Sequence, residues 1–210
     1  MKVSIINYGM GNLASVRKAF EDLGAEVIVA SQPDDIREAH RIVLPGVGAF
    51  YEGMDRLRSA GWIDILREAV IQKRKPLLGI CLGMQMLATE GAEGGGSFGL
   101  NFIPGKVERL DTLGCTLRIP HVGWNEVRYK IADEFFYGIP DCSDFYFVHS
   151  FAFNPDSNDH LIATANYGCE VSAVIRNENV FGCQFHPEKS SKAGRQLLIN
   201  FMRYIPSPLC

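Results

Sequence analysis

Continuous runs of apolar residues, each followed by a turn and a stretch with helical periodicity, mark the first ninety residues. Runs without polar alternation are typical of strands that are covered on both faces. The pattern predicts strands over 3–6, 27–30, 41–44 and 77–80, and helices over 13–23, 34–39 and 50–73, the last divided near Gly61. Because strands alternate with helices, we expect a mostly parallel central sheet flanked by helices.

The pattern changes after residue 90. Residues 91–99 are rich in glycine and predict a loop, and the apolar residues beyond them fall in short segments separated by turns. The predicted strands there are 105–110, 115–119, 126–129, 145–149, 161–165, 171–175 and 180–185, with a closing amphipathic helix over 191–204. We therefore expect an α/β fold in which short antiparallel β segments are added to the parallel sheet, in a single domain over 1–210.

Composition narrows the class of protein. Of 210 residues, 47% are hydrophobic and 21% are charged, and the formal net charge is −3, so the basic face of a nucleic-acid-binding protein is not expected. No apolar run is long enough to span a bilayer, and the first residues resemble a strand rather than a signal peptide. The six cysteines are irregularly spaced and form no C-x-x-C pair, which indicates free thiols in a reducing cytoplasm and no metal site.

A cysteine stands at the end of the fourth predicted strand, between two glycines, in the segment Gly79-Ile80-Cys81-Leu82-Gly83. Glycines on both sides of a nucleophile are typical of the strand–turn–helix elbow of hydrolases, here with sulfur in place of oxygen. The partial positive charge at the start of the following helix favours the thiolate, the nucleophilic form. Alone, the pattern also fits a small buried apolar residue.

A histidine and a carboxylate follow the last predicted strand, in the segment Phe185-His186-Pro187-Glu188. Histidine can take a thiol proton and later protonate a leaving amine, and glutamate can fix the imidazole tautomer. Sites in open α/β sheets form beyond the carboxyl ends of strands, where both segments lie. We therefore predict that Cys81, His186 and Glu188 form a catalytic triad for acyl transfer through a thioester.

Such a reaction needs donors for the oxyanion of the tetrahedral intermediate. The turn Pro45-Gly46-Val47-Gly48 is one candidate, because glycines let backbone N–H groups face a substrate, although an ordinary turn has the same composition. The N–H of Leu82, directly after the nucleophile, is the natural second donor.

Together these motifs resemble the class I glutamine amidotransferase family. Within the family, further segments resemble the glutaminase subunits of imidazole glycerol phosphate synthase. They are Tyr8-Gly9-Met10-Gly11-Asn12, Pro120-His121-Val122-Gly123-Trp124-Asn125, Tyr146-Phe147-Val148-His149-Ser150-Phe151 and Gln184-Phe185-His186-Pro187-Glu188-Lys189, and the resemblance extends over almost the whole chain.

The resemblance implies that Cys81 attacks the side-chain amide of glutamine, releasing ammonia and then glutamate, without a cofactor. It also implies that Glu93 holds the substrate α-amino group, although a solvated loop acid is the alternative at that position, and that a strand over 149–151 lines the opposite wall. The implied substrate-binding residues are Gly46, Val47, Gly48, Leu82, Gln85, Glu93, His149, Ser150 and Phe151.

In this branch the ammonia passes to a (β/α)8-barrel cyclase of the HisF type, the other subunit of a heterodimer. The cyclase makes imidazole glycerol phosphate and an aminoimidazole carboxamide ribonucleotide for histidine biosynthesis. The implied interface residues are Asn12, Trp124, Asn125, Tyr146 and Lys189. For Trp124 and Tyr146, core packing is the alternative fate.

Three alternatives stay open at this point. Where the family often has aspartate, this chain has Asn7, which puts the partner in doubt. The chief alternative is a glutaminase that feeds a sugar amidotransferase in surface polysaccharide synthesis. The others are a non-catalytic binding subunit, in which Cys81 is structural, and a cysteine peptidase or amidase on a similar sheet.

Overall fold

The structure, a computed structural model, describes residues 1–206. Its helices are α1 (Leu13–Glu21), α2 (Phe50–Ser59), α3 (Trp62–Arg67), α4 (Leu82–Gln85) and α5 (Ser191–Arg203). Its strands are β1 (Lys2–Ile6), β2 (Glu26–Ala30), β3 (Arg41–Gly46), β4 (Leu77–Cys81), β5 (Glu90–Gly91), β6 (Ser97–Phe98), β7 (Gly105–Arg109), β8 (His121–Tyr129), β9 (Ser143–His149), β10 (Phe151–Pro155), β11 (Leu161–Asn166), β12 (Glu170–Asn177) and β13 (Val180–Cys183).

The larger sheet has nine strands in the order β2-β1-β3-β4-β13-β12-β11-β8-β9. The first five are mutually parallel, and the last four continue the sheet through antiparallel pairs. A smaller sheet, in the order β10-β7-β5-β6, is mainly antiparallel. The predicted α/β class, with a parallel centre and added antiparallel segments, is confirmed.

Helices cover both faces of the parallel strands. On one face, Phe20 of α1 and Phe201 of α5 share a buried cluster with Ile5 and Leu78. On the other face, Trp62 of α3 packs in a cluster with residues of α2, of the neighbouring strands and of the smaller sheet. The strands are therefore apolar on both sides, which explains why their sequences read as continuous apolar runs.

One predicted helix and one predicted strand are absent. Residues 34–39 do not form a helix, and only a single 3-10 turn over Pro33–Ile36 is present. Residues 115–119 form no strand: Cys115 packs in a small cluster with Leu110, and its thiol donates to the Tyr167 carbonyl at 3.0 Å. Apolar residues that fill this satellite cluster have the spacing of a short strand without pairing as one.

None of the helices within residues 1–206 is long and apolar enough to cross a bilayer.

Candidate active site

Cys81 occupies a sharp turn between β4 and α4. Its φ angle is +54°, an unfavourable conformation for a residue other than glycine. The flanking glycines are required by close approach: a Cβ on Gly83 would lie 1.7 Å from the Leu44 carbonyl oxygen, and one on Gly79 would lie 2.7 Å from the Gly83 oxygen. The predicted nucleophile elbow is therefore present, although its helix is a single turn over Leu82–Gln85.

His186 and Glu188 follow the neighbouring parallel strand. Strand β13 pairs with β4 in a register that sets Cys183 beside Ile80. The imidazole Nδ1 of His186 lies 2.8 Å from Oε1 of Glu188, and both side chains are almost completely buried. Within the described residues, Nε2 of His186 is buried and has no hydrogen-bond partner. Cys81 and His186 line the same cavity, so the free nitrogen belongs to the site of the thiol.

The surroundings of His186 favour its protonated form. Burial opposes the charge, but the Cys81 thiol and the Glu188 carboxylate outweigh burial and raise the imidazole pKa to about 9. The structure brings the three predicted catalytic residues together in one place.

The cavity beside Cys81 has a volume of about 470 Å³. Eight of the nine predicted substrate-binding residues line it: Val47, Gly48, Leu82, Gln85, Glu93, His149, Ser150 and Phe151. Gly46 does not, because it ends β3 beneath the cavity wall, where a Cβ would lie 2.4 Å from the Tyr8 hydroxyl. Of the nine predicted residues, eight therefore line the cavity and the ninth, Gly46, supports its wall.

The side chains of Tyr8 and Met10 support the end of β3 and the turn that follows it. The Tyr8 hydroxyl donates to the Pro45 carbonyl at 3.0 Å, and a Cβ on Gly48, whose φ is +110°, would lie 2.6 Å from the Met10 side chain. Burial and the nearby Cys81 raise the pKa of Tyr8 well above its usual value, so its hydroxyl stays protonated and donates. Val47 is 45% exposed, which leaves it accessible to a ligand.

Glu93 lies at the far end of the cavity, against the start of α2. Its Oε2 accepts from the Phe50 backbone N–H at 3.2 Å. Burial raises the pKa of this carboxyl, although the hydrogen bond from Phe50 opposes the change. A partly buried carboxylate in this position can pair with an ammonium group, and the attraction between the two charges is stronger there than in bulk water.

The predicted strand over 149–151 is wrong, because the chain crosses between the two sheets at Ser150. His149 ends β9 in the larger sheet and Phe151 begins β10 in the smaller one. The Phe151 carbonyl accepts from Gln85 Nε2 and from the His149 ring, each at 2.8 Å. Both lone pairs of that carbonyl are thus used within the protein.

Four of the five predicted interface residues lie on or beside the β8–β9 ribbon. Trp124 is 55% exposed and packs edge-on to Tyr146 directly opposite, and the Lys189 ammonium lies 5.9 Å from the Tyr146 ring centre. Asn125 follows Trp124, but its amide is turned inward to His121 at 3.2 Å. Asn12 begins α1, where its side chain accepts from the Ser15 N–H.

Residues that the sequence prediction did not assign also contribute. Ala49, Pro120 and Val148 line the cavity. Gln184 is fully buried and its amide nitrogen lies 3.8 Å from the Cys81 sulfur, while Tyr8 and His121 support the walls. A polar residue at the end of an apolar strand was the available signal for Gln184, and no local signal marked Tyr8 or His121.

Residues 1–206 contain no group of three or more histidine, cysteine or acidic residues that could hold a metal ion.

Comparisons with known proteins show the family of the chain. A family model described as glutamine amidotransferase class-I matches residues 4–204. "Imidazole glycerol phosphate synthase subunit HisH" of Moorella thermoacetica is 46% identical over 199 residues, which cover 95% of this chain and 93% of that protein. "Imidazole glycerol phosphate synthase subunit HisH 1" of Campylobacter jejuni is 45% identical over 201 residues, which cover 96% and 99%.

Solved structures show the same fold at low identity. The structure of PurLQS from Thermotoga maritima superposes with a TM-score of 0.77 at 17% identity and covers 97% of this chain and 98% of that one. A crystal structure of a glutamine amidotransferase gives a TM-score of 0.74 at 19% identity, covering 95% and 98%.

Proposed function

This chain belongs to the class-I glutamine amidotransferase family, and from that premise we propose that it is the glutaminase subunit of an imidazole glycerol phosphate synthase. It hydrolyses glutamine to glutamate and ammonia for histidine biosynthesis. The observation that carries the proposal is that Cys81 and His186 line one cavity and Glu188 hydrogen-bonds His186, in a chain whose 46% identical relative carries the name of that subunit.

In the first half-reaction the Cys81 sulfur attacks the side-chain carbonyl carbon of glutamine. The carbonyl oxygen becomes an oxyanion, for which the N–H groups near Val47 and Leu82 are the proposed donors. When the C–N bond breaks, His186 gives its proton to the leaving amine, and a γ-glutamyl thioester and ammonia result. Glu188 holds His186 in the tautomer and orientation that this transfer requires.

In the second half-reaction water replaces ammonia. His186 takes a proton from the water, the oxygen attacks the thioester carbon, and the sulfur leaves as thiolate while glutamate forms. Proposed substrate contacts are the Glu93 carboxylate for the α-ammonium group and the Gln85 carboxamide. Because a residue inside a peptide has no free α-ammonium group, the proposed Glu93 contact favours glutamine over a peptide.

The proposed partner is a (β/α)8-barrel cyclase of the HisF type. An exposed apolar face on β8–β9, made of Val122, Trp124, Tyr146 and Val148, adjoins the catalytic cavity, since Val148 lines that cavity as well. A partner that covers this face closes the cavity against water and receives ammonia before it is protonated. The cysteines within residues 1–206 are free thiols, which supports the proposed cytoplasmic location.

The test is glutamate release from glutamine by the purified chain, alone and mixed with a barrel cyclase and its nucleotide substrate. We expect stimulation by the cyclase and formation of imidazole glycerol phosphate. Glutamine hydrolysis without any stimulation by the cyclase would contradict the proposed partner. It would leave a sugar amidotransferase as the alternative acceptor of ammonia. Absence of hydrolysis under every condition, with normal folding, would overturn the glutaminase itself.

A further inference from the structure

A chain of hydrogen-bonded side chains runs through the buried face of the β8–β9 ribbon to the wall of the cavity. The Asn125 amide nitrogen lies 3.2 Å from Nε2 of His121, and Nδ1 of His121 lies 2.9 Å from Nε2 of His149. The other ring nitrogen of His149 lies 2.8 Å from the Phe151 carbonyl oxygen. His121 and His149 are 2% and 6% exposed, so the hydrogen bond between the two rings is shielded from bulk water.

The direction of every hydrogen bond in this chain follows from its two ends. The Asn125 amide nitrogen also donates to the Asn166 carbonyl at 2.9 Å, which fixes the orientation of that amide. Nε2 of His121 must therefore accept, and its Nδ1 must carry the proton that it donates to His149.

At the other end, the Phe151 carbonyl can only accept, so Nδ1 of His149 is the donor there and its Nε2 is the acceptor. Both rings are thus neutral and in the Nδ1–H form. Burial lowers the pKa of His149 to about 3 and that of His121 to about 4, which agrees with neutral rings at physiological pH.

The chain orients a substrate-binding side chain. Gln85 Nε2 donates one hydrogen to the Phe151 carbonyl at 2.8 Å and one to Oε1 of Gln184 at 3.0 Å. Both hydrogens are then used, and only the Gln85 oxygen is left to accept from a ligand. The Gln184 amide nitrogen in turn lies 3.8 Å from the Cys81 sulfur.

We propose that His121 is a positioning residue for glutamine binding. Its ring orients His149, which in turn fixes the Phe151 carbonyl. That carbonyl orients the Gln85 carboxamide so that the Gln85 oxygen can accept a hydrogen bond from an N–H group of the substrate. His121 does not line the cavity, and no other residue within 1–206 hydrogen-bonds Nε2 of His149. This inference rests on the proposed function for the identity of the ligand.

The matched variants are His121→Phe and His121→Asn. Phenylalanine can keep the stack that His121 makes on Phe147 and Tyr167, at ring-centre distances of 4.6 and 3.9 Å, but it removes both nitrogens. Asparagine can place an N–H close to the position of Nδ1 and restore the donor to His149. His160→Phe, at a histidine whose ring hydrogen-bonds the Arg176 carbonyl and which does not line the cavity, is the control for loss of an imidazole.

The main measurement is protection of Cys81 in the whole chain from iodoacetamide by glutamine, with the alkylated peptide quantified by mass spectrometry. For His121→Phe, we expect the half-protecting glutamine concentration to rise about tenfold, the usual consequence of one lost buried hydrogen bond. His121→Asn should return to within about threefold of wild type, and His160→Phe should not change. The alkylation rate without glutamine should stay within about twofold throughout.

With the cyclase present, the KM for glutamine should rise more than kcat falls.

A second measurement does not need the variants to fold. The 15N spectrum of the wild-type imidazoles should show His121 and His149 as Nδ1–H tautomers between pH 6 and 8, and an Nε2–H form of either would overturn the proposal. Unchanged glutamine protection in a folded His121→Phe, or no rescue by His121→Asn, would also overturn it. If glutamine fails to protect Cys81 even in wild type, the proposed function is wrong. The tautomers of His121 and His149 still test, independently, the direction of the hydrogen bonds on which the role of His121 depends.

Discussion

The parallel and antiparallel halves of the larger sheet contribute different things to the site. In the parallel half, β4 and β13 are buried on both faces and supply Cys81 and His186 from their carboxyl ends. In the antiparallel half, β8 and β9 bury one face, with His121 and His149, and expose the other, with Trp124 and Tyr146.

This difference separates reaction chemistry from recognition. Strands packed on both sides hold reacting atoms with little freedom, whereas a ribbon with one exposed face can meet a partner and still contact the substrate cavity. Substitutions in the parallel half should therefore affect turnover or folding. Substitutions on the outer face of the antiparallel half should affect association alone.

The largest effect is expected for Cys81→Ala, which removes the nucleophile. Cyclase-stimulated glutamate release should fall by about 10⁴-fold or more, because no other group can form the thioester. Thermal unfolding should change little, since alanine fills nearly the same space. Full activity of the folded variant would show that the thiol is not the nucleophile and that the parallel half does not supply the chemistry.

Glu188→Gln should lower turnover by about a thousandfold. The amide can no longer stabilise imidazolium or fix the His186 tautomer as a carboxylate does. Glutamate release at saturating glutamine measures the effect. The KM for glutamine should change much less, and a change confined to KM would contradict this role.

The same variant gives a pH signature. His186 has a pKa raised from about 6.5 to about 9 by Cys81 and Glu188, so its protonated form stabilises the fold. This stabilisation is fully present below pH 6.5 and is lost as the pH rises through 9. The difference in unfolding free energy between wild type and Glu188→Gln should therefore be largest below pH 6.5 and shrink towards pH 9 in denaturant titrations. A difference in unfolding free energy that grows with pH would show that the protonated form of His186 does not stabilise the fold.

Gly83→Ala tests the close packing of the parallel half. Its Cβ would lie 1.7 Å from the Leu44 carbonyl oxygen, which is backbone and cannot move freely, so we expect a loss of about 3 kcal/mol in unfolding free energy. Gly123→Ala in β8 is the matched control, because it has a φ of +134° but no atom within 4 Å of the added Cβ. Its cost should be about 1 kcal/mol from backbone strain alone. Equal losses of unfolding free energy in the two variants would contradict the proposed difference in packing between the parallel and antiparallel halves.

Val47→Pro removes one candidate oxyanion donor and should lower turnover by about a hundredfold. Val47 is 45% exposed after the end of β3, so the fold should survive. Glutaminase activity with the cyclase measures the effect, and Val47→Ala, which keeps the N–H, serves as the control. Unchanged turnover in the proline variant would assign the oxyanion to other donors.

The two halves also differ in how well local sequence predicts them. Strands β1, β3 and β4 were predicted to within two residues at each end, because burial on both faces leaves a continuous apolar run. The first half of β8 was missed. There apolar residues Val122 and Trp124 lie on the exposed face while His121 lies on the buried one, which reverses the usual alternation.

Within the site, the elbow around Cys81 was predictable because its geometry is local and demands glycine on both sides. The supporting residues were not. Tyr8 reaches Pro45 across 37 positions, and Gln184 reaches Cys81 across 103, and such contacts exist only after the strands pair. The pattern within a segment shows which groups can react, whereas the groups that hold them depend on topology.

The smallest effect, and the sharpest test of the antiparallel half, is expected for Trp124→Ala. The side chain is 55% exposed and its main contact is the edge of Tyr146, so the unfolding free energy should change by less than about 0.5 kcal/mol. An exposed tryptophan at the centre of an interface commonly contributes much of the binding energy, and affinity for the cyclase should fall at least tenfold, or about 1.4 kcal/mol. Titration calorimetry of the two proteins measures the affinity, and Tyr137→Ala, at an aromatic residue 75% exposed outside the proposed interface, is the control. If both variants bind the cyclase as tightly as wild type, the outer face of β8–β9 is not the docking surface, and recognition must lie on the parallel half after all.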